Sequence, residues 1–396
     1  MVENNRRIWR TPLGELERRW AAVRQGMAAR RVDVLVAQSE RDFSGGYCRW
    51  FTDAPAANPK SVLFYADGGL TLIDHGAAGR RRDLRAAPDP EHPGVTEVIT
   101  TSSFQNADYT QGYDADCAAD VLVKRAVKRI GLIAPRRMPH GFVSRLMETL
   151  GEAAEFSDET DFIDALKAVK SPSEIEAIRA TAQMQDAAFA EVLSKIRPGM
   201  RDFEITALAR YHGEMMGSEQ GLFLGVSATL GTPAGLAPKH VQGRAFERGD
   251  YMTLLIENNG PGGYYAELAR LIVFGKASAE LEEAFACTKQ AQAKTAANLR
   301  PGASPAEICQ AHNAFMTACG GPPEARLYAH SQGYDLVERP LVRDDETMAL
   351  QANMNMAVHP SWGSSTLFAL VCDNYLVRDN GPAERLHRTE QKIFEL

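Results

Sequence analysis

The sequence predicts two domains: an α/β domain over residues 1–160, and an α+β domain over residues 161–396 built on an internal repeat about a pseudo-two-fold axis. Three observations carry this. At 396 residues the chain exceeds what one hydrophobic core usually supports. Its first part alternates helix-period and strand-like runs. Its second part states a turn-and-helix string twice, Arg197-Pro-Gly-Met-Arg-Asp-Phe-Glu-Ile and Arg300-Pro-Gly-Ala-Ser-Pro-Ala-Glu-Ile, 103 positions apart.

Taken in order, Leu13, Leu16, Trp20, Val23 and Met27 recur at helical spacing and predict a helix over 13–30. Val32-Asp-Val-Leu-Val-Ala then reads as a buried strand, followed by the strand-like runs at 61–65, 70–73 and 95–100. A helix over Ala118–Val127 and a strand at 129–133 complete the first domain. The polar stretch Ser157-Asp-Glu-Thr-Asp marks the boundary. Beyond it Ser171 is a good N-cap, Pro172 suits the first helical position and Glu174 completes a capping box, so a long helix opens at about 172. The strand-like run at 251–257 reappears at 353–359, nearly in register with the repeated string; two such units would leave a cleft where their strands meet.

Composition excludes several classes. With 44% hydrophobic and 24% charged residues the chain is globular rather than disordered, and its net charge of −7 marks no partner. The basic runs Arg80-Arg81-Arg82 and Arg136-Arg137 are too short for a nucleic-acid footprint. No apolar run approaches the roughly 18 residues of a membrane helix, nor does the start resemble a signal peptide, so a cytoplasmic protein without membrane or nucleic-acid partners is expected. Six cysteines (Cys48, Cys117, Cys287, Cys309, Cys319, Cys372) without C-x-x-C pairs suit a reducing compartment and core positions.

The residues able to carry chemistry lie between His240 and Asp373. Glu257 and Glu267 end adjacent strand-like runs across a glycine-rich connection; such a pair is costly unless something positive lies between, and otherwise reads as two solvent-facing strand ends. Tyr328-Ala-His330-Ser-Gln-Gly-Tyr-Asp-Leu-Val-Glu338, Val358-His359-Pro and Cys372-Asp373 follow. His359 and Asp373 interrupt apolar runs where strands deliver catalytic groups.

These stretches resemble the creatinase and aminopeptidase P family and its pita-bread fold, over essentially the whole chain. Leu166–Phe189 resembles the family's K-S-x-x-E-I entry helix, and Gly249–Glu257 its G-D-x-x-x-x-x-x-D strand. Gly263-Tyr264-Tyr-Ala-Glu267-Leu-Ala-Arg270 is similar to G-Y-x-x-D-x-T-R, His330-Ser-Gln-Gly-Tyr to H-x-x-G-L, and Asn353–Ser361 to N-M-x-x-x-x-E-P-G. The resemblance implies a metal site at Glu257, Glu267, His330, His359 and either Cys372 or Asp373, where the family's peptidases have two Asp, one His and two Glu. Only the histidine is unchanged, and Val337 stands where those peptidases place a second histidine. Two Glu, two His and an Asp or Cys suit a divalent transition metal, Fe, Mn or Zn. A metal-free Glu/His acid–base cluster, as in creatinase, is the other outcome. The resemblance further implies catalytic roles for His240, Glu267, His330, His359 and Glu338, and substrate contacts from Tyr264 and from Arg49 and Trp50, the last two reaching a partner's cleft in a homodimer. Arg49 would fork onto a substrate carboxylate; core packing is the plainer reading of its aromatic neighbours. The expected activity is hydrolysis of a C–N bond in a small zwitterionic or amide-bearing molecule. The alternatives are a lyase of the dimethylsulfoniopropionate-cleaving type, which Gly260-Pro-Gly-Gly-Tyr-Tyr-Ala-Glu267 also resembles, and an inactive binding module.

Overall fold

Contacts within the chain divide it into two units, Arg10–Lys167 and Ala168–Leu396 with residues 8 and 9. The computed structural model describes residues 8–39, 46–55 and 58–396.

The N-terminal unit carries strands β1 (Val34–Ser39), β2 (Lys60–Tyr65), β3 (Leu70–His75), β4 (Arg81–Asp83), β5 (Val95–Thr101), β6 (Arg129–Ile133) and β7 (Glu155–Asp158) in one sheet of order β4-β5-β3-β2-β1-β6-β7. Its helices are α1 (Leu13–Arg30), α2 (Gly46–Thr52), α3 (Gly112–Lys124), α4 (His140–Leu150) and α5 (Thr160–Ala168). Alternation along β1 turns Val34 and Val36 to one face, where they join Leu63, Ile99 and Ile130 beneath Leu122 of α3 and Phe142 and Leu146 of α4. The first helix matches its predicted span. The first strand starts two residues later than the apolar run suggests, because Arg31 is left-handed at φ 57° and Val32 N–H returns to Met27 O at 3.0 Å, using those residues to close the helix. Helix α3 likewise lies earlier than the predicted 118–127, since Ala126 at φ 53° cannot continue it.

The C-terminal unit opens with α6 (Pro172–Lys195) and α7 (Asp202–Met215), followed by β8 (Gly221–Leu224), β9 (Ser227–Thr229), β10 (Asp250–Asn259) and β11 (Tyr265–Val273). Then come α8 (Ala279–Asn298) and α9 (Pro305–Ala318), followed by β12 (Ala329–Ser331), β13 (Glu338–Leu341), β14 (Asn355–Val358), β15 (Ser361–Gly363), β16 (Phe368–Leu370), β17 (Asp373–Leu376), β18 (Glu384–Arg385) and β19 (Phe394–Glu395). Each half thus pairs two helices with a sheet, β19-β11-β10-β8 in the first and β13-β12-β14-β17-β18 in the second. The repeated strings are the turns entering α7 and α9, as the pseudo-two-fold repeat requires. β14 is shorter than the predicted run because Asn353 is left-handed at φ 68°. An isolated bridge between Ala269 and Cys372, with N–H to O distances of 3.3 and 3.2 Å, ties the two sheets together beside the acidic strands.

Candidate metal centre

β10 and β11 pair antiparallel in a register that sets Glu257 directly opposite Glu267 on one face, next to Leu255 and Ala269. Both carboxylates are buried. His330 comes from β12, and His359 follows the end of β14, its backbone N–H bonded to Tyr328 O at 2.7 Å. Strands β11, β12 and β14 therefore deliver Glu267, His330 and His359 to one point: Glu267 Oε2 lies 3.8 Å from His330 Nε2 and 3.9 Å from His359 Nε2. The imidazoles meet edge to face at 5.2 Å.

Each donor is prepared for a cation. His330 Nδ1 lies 3.0 Å from Ser331 O, and because a carbonyl only accepts, Nδ1 carries the proton and leaves Nε2 with its lone pair toward Glu267. His359 Nε2 is buried without a hydrogen-bond partner. Burial lowers the His330 pKa to about 4 and that of His359 well below the ordinary value, so both rings are neutral at physiological pH, as ligands must be. Burial also raises Glu267 to about 7 and Glu257 well above its ordinary range, the latter further because it faces Glu267. Two facing carboxylates with nothing positive between them hold a proton, and a cation would replace it. The ligand atoms of Glu267, His330 and His359 all lie within 4.8 Å of one another, and among the described residues no other His, Cys, Asp or Glu group converges in this way. This donor set fits one divalent transition ion.

The remaining expected residues fall outside this trio. Glu257 stands beside the three, its Oε1 accepting from Gln332 Nε2 at 2.8 Å. Asp373 is turned away. Side chains alternate along β17, so Cys372 takes the Glu267 side, its Sγ 3.3 Å from Glu267 O, while Asp373 bonds Arg270 Nη2 at 2.6 Å with both side chains fully buried. Gln391 Nε2 donates to the other Asp373 oxygen at 2.8 Å. The assignment of Asp373 as a ligand is thus corrected to a partner of Arg270. Glu338 forms a buried pair with Lys170 Nζ at 2.7 Å. His240 sits exposed on the single turn Lys239–Val241. Tyr264 OH donates to Glu174 Oε1 at 3.0 Å, so it anchors the start of α6, and its ring packs on Tyr334 at 4.2 Å. Arg49 and Trp50 are buried in α2, where Trp50 O accepts from Arg19 Nη1 at 3.0 Å.

Sequence reasoning missed the amides behind the cluster. Asn374 Oδ1 accepts from Glu267 N–H at 2.6 Å, while its Nδ2 donates to Gln332 Oε1 at 2.9 Å and to Asn355 Oδ1 at 3.0 Å. Gln332 lies inside the His330 motif and Asn374 beside Asp373, but only the strand pairing shows that they meet.

Comparison with known proteins agrees with this geometry. Residues 176–379 match the model of metallopeptidase family M24. The chain is 23% identical over 274 residues to an Xaa-Pro dipeptidase of Pyrococcus horikoshii, covering 68% of this chain and 75% of that one. In fold it is similar to an X-Pro aminopeptidase from Thermotoga maritima (TM-score 0.78, 20% identity, 95% and 99% of the two chains). The prolidase from Pyrococcus horikoshii superposes at TM-score 0.76 with 19% identity over 95% of this chain and 100% of that chain.

Proposed function

Because this chain belongs to metallopeptidase family M24 and is a hydrolase of amide C–N bonds, we propose that it hydrolyses a small amide-bearing substrate at a single-ion centre formed by Glu267, His330 and His359. The observation that carries this is the convergence of those three ligand atoms within 4.8 Å while Asp373 is engaged by Arg270. Glu267, His330 and His359 would hold a divalent ion of the Fe, Mn or Zn type, which would supply Lewis-acid chemistry for amide hydrolysis. The protein's own contributions follow from position. The Ser331 carbonyl keeps His330 in the tautomer that presents Nε2, and Asn374 holds the backbone of Glu267. Glu257, oriented by Gln332 and facing Glu267, is the group placed to accept a proton from water and return it to the departing nitrogen. Val337 supplies no second histidine, so this proton traffic falls to Glu257.

The similarity to Xaa-Pro dipeptidases makes a proline dipeptide the first substrate to assay. A homodimer and a cytoplasmic location complete the proposal; Arg49 and Trp50, buried in α2, are left out of it. The test is hydrolysis in ¹⁸O-water: one ¹⁸O should enter the carboxyl product, and Glu267→Ala or His330→Ala should each abolish turnover without loss of fold. Turnover without ¹⁸O incorporation, or full activity in either variant, would remove the hydrolytic reading.

A further inference from the structure

Two adjoining hollows lie along the groove between α8 and α9 and share walls at Asn298, Ile308 and Ala311. The inner one, about 260 Å³, is apolar along Ala291, Ile308 and Phe315 and is also lined by His312. That volume accepts one aromatic side chain, since a dry hollow of about 150 Å³ holds benzene. The outer one, about 450 Å³, is lined by Arg300, Ser304 and Glu307. Arg300 and Glu307 form no ion pair among the described residues.

His312 is the unexplained group. It is 4% exposed, stacks flat on Tyr328 at 3.7 Å, and neither ring nitrogen has a hydrogen-bond partner. A buried polar group left in that state costs about 1–3 kcal/mol, which a polar-tipped occupant reaching the ring would offset. Burial lowers its pKa to about 4, which keeps the ring uncharged and compatible with an apolar guest at neutral pH. One residue joins this place to the cluster: Tyr328, under the His312 ring, also gives its carbonyl to His359 N–H.

We propose that this groove binds a free amino acid with an aromatic, hydrogen-bonding side chain: its carboxylate on Arg300, its ammonium on Glu307, its ring in the inner hollow and the polar tip toward His312. Opposite charges in the outer hollow match a zwitterion, and an apolar inner hollow matches its side chain. The site lies apart from Glu267, His330 and His359 and does not depend on the hydrolytic reading.

The test is saturation-transfer NMR with L-tyrosine as the probe. L-tyrosine should bind wild type and Glu267→Ala alike, whereas N-acetyltyrosinamide, which lacks both charges, and glycine, which lacks the ring, should bind at least about tenfold more weakly. Ala311→Phe, which fills the groove from an exposed helix position, should also weaken L-tyrosine at least about tenfold. His312→Phe keeps the ring stack and should bring L-tyrosine down to the affinity of L-phenylalanine. No binding to wild type, binding undiminished by Ala311→Phe, or binding lost in Glu267→Ala would each overturn the proposal.

Discussion

Glu267 owes its position to three contacts made at once: Glu257 across the strand pair, Asn374 on its backbone N–H, and Cys372 on its backbone carbonyl. A carboxylate so enclosed is costly to ionise alone, and His330 and His359 are too costly to protonate to neutralise it. Only an ion or a shared proton settles the site. At this scale the roles of His359 and Asp373 separate cleanly. His359→Ala should cut bound metal about tenfold or more, since disturbing even outer partners of a ligand costs that much. Asp373→Asn should leave metal bound but destabilise the fold by about 3–5 kcal/mol, because it strips a buried Arg270 of its charge partner. Metal analysis and urea unfolding of both variants check the pair of outcomes. Metal lost in Asp373→Asn and kept in His359→Ala would reverse the assignment.

Helix α6 shows what an element can announce in advance. Ser171 Oγ accepts from Glu174 N–H, Ser171 N–H bonds Glu174 Oε2 at 2.7 Å, and Pro172 takes the first position, so its start was readable from four consecutive residues. Ser171→Ala should cost about 1 kcal/mol, seen as a lower urea midpoint with unchanged slope. The repeated turn strings were legible for the same local reason. His330 and His359 could be found because a family motif surrounds each. What could not be read is pairing: Cys372 and Asp373 are neighbours with opposite duties, and the choice rests on the register of β17 against β14 and on Arg270, 103 positions away. Nor could the partners of Glu338 and Tyr264 be read, since Lys170 and Glu174, which bond them, are distant in sequence.

Across the whole molecule, buried histidines should set the response to acid. His312 and His387 titrate near 4 when folded instead of the ordinary 6.5, both through burial. The unfolded chain therefore takes up these protons first, and the stability they contribute above 6.5 is lost progressively as pH falls toward 4. Glu267, raised to about 7, acts with the opposite sign between its ordinary 4.5 and 7, but equally in any variant that retains it. The stability of His312→Phe should consequently fall less steeply between pH 6.5 and 4 than that of wild type, as followed by denaturant midpoints; parallel curves would contradict the assignment. The central claim is one ion held by two histidines and one glutamate in a family M24 chain. Plasma mass spectrometry of the purified protein tests it most directly: about one equivalent of Fe, Mn or Zn per chain, falling to background in Glu267→Ala, is the predicted result, and two equivalents, or none after reconstitution with each metal, would contradict it.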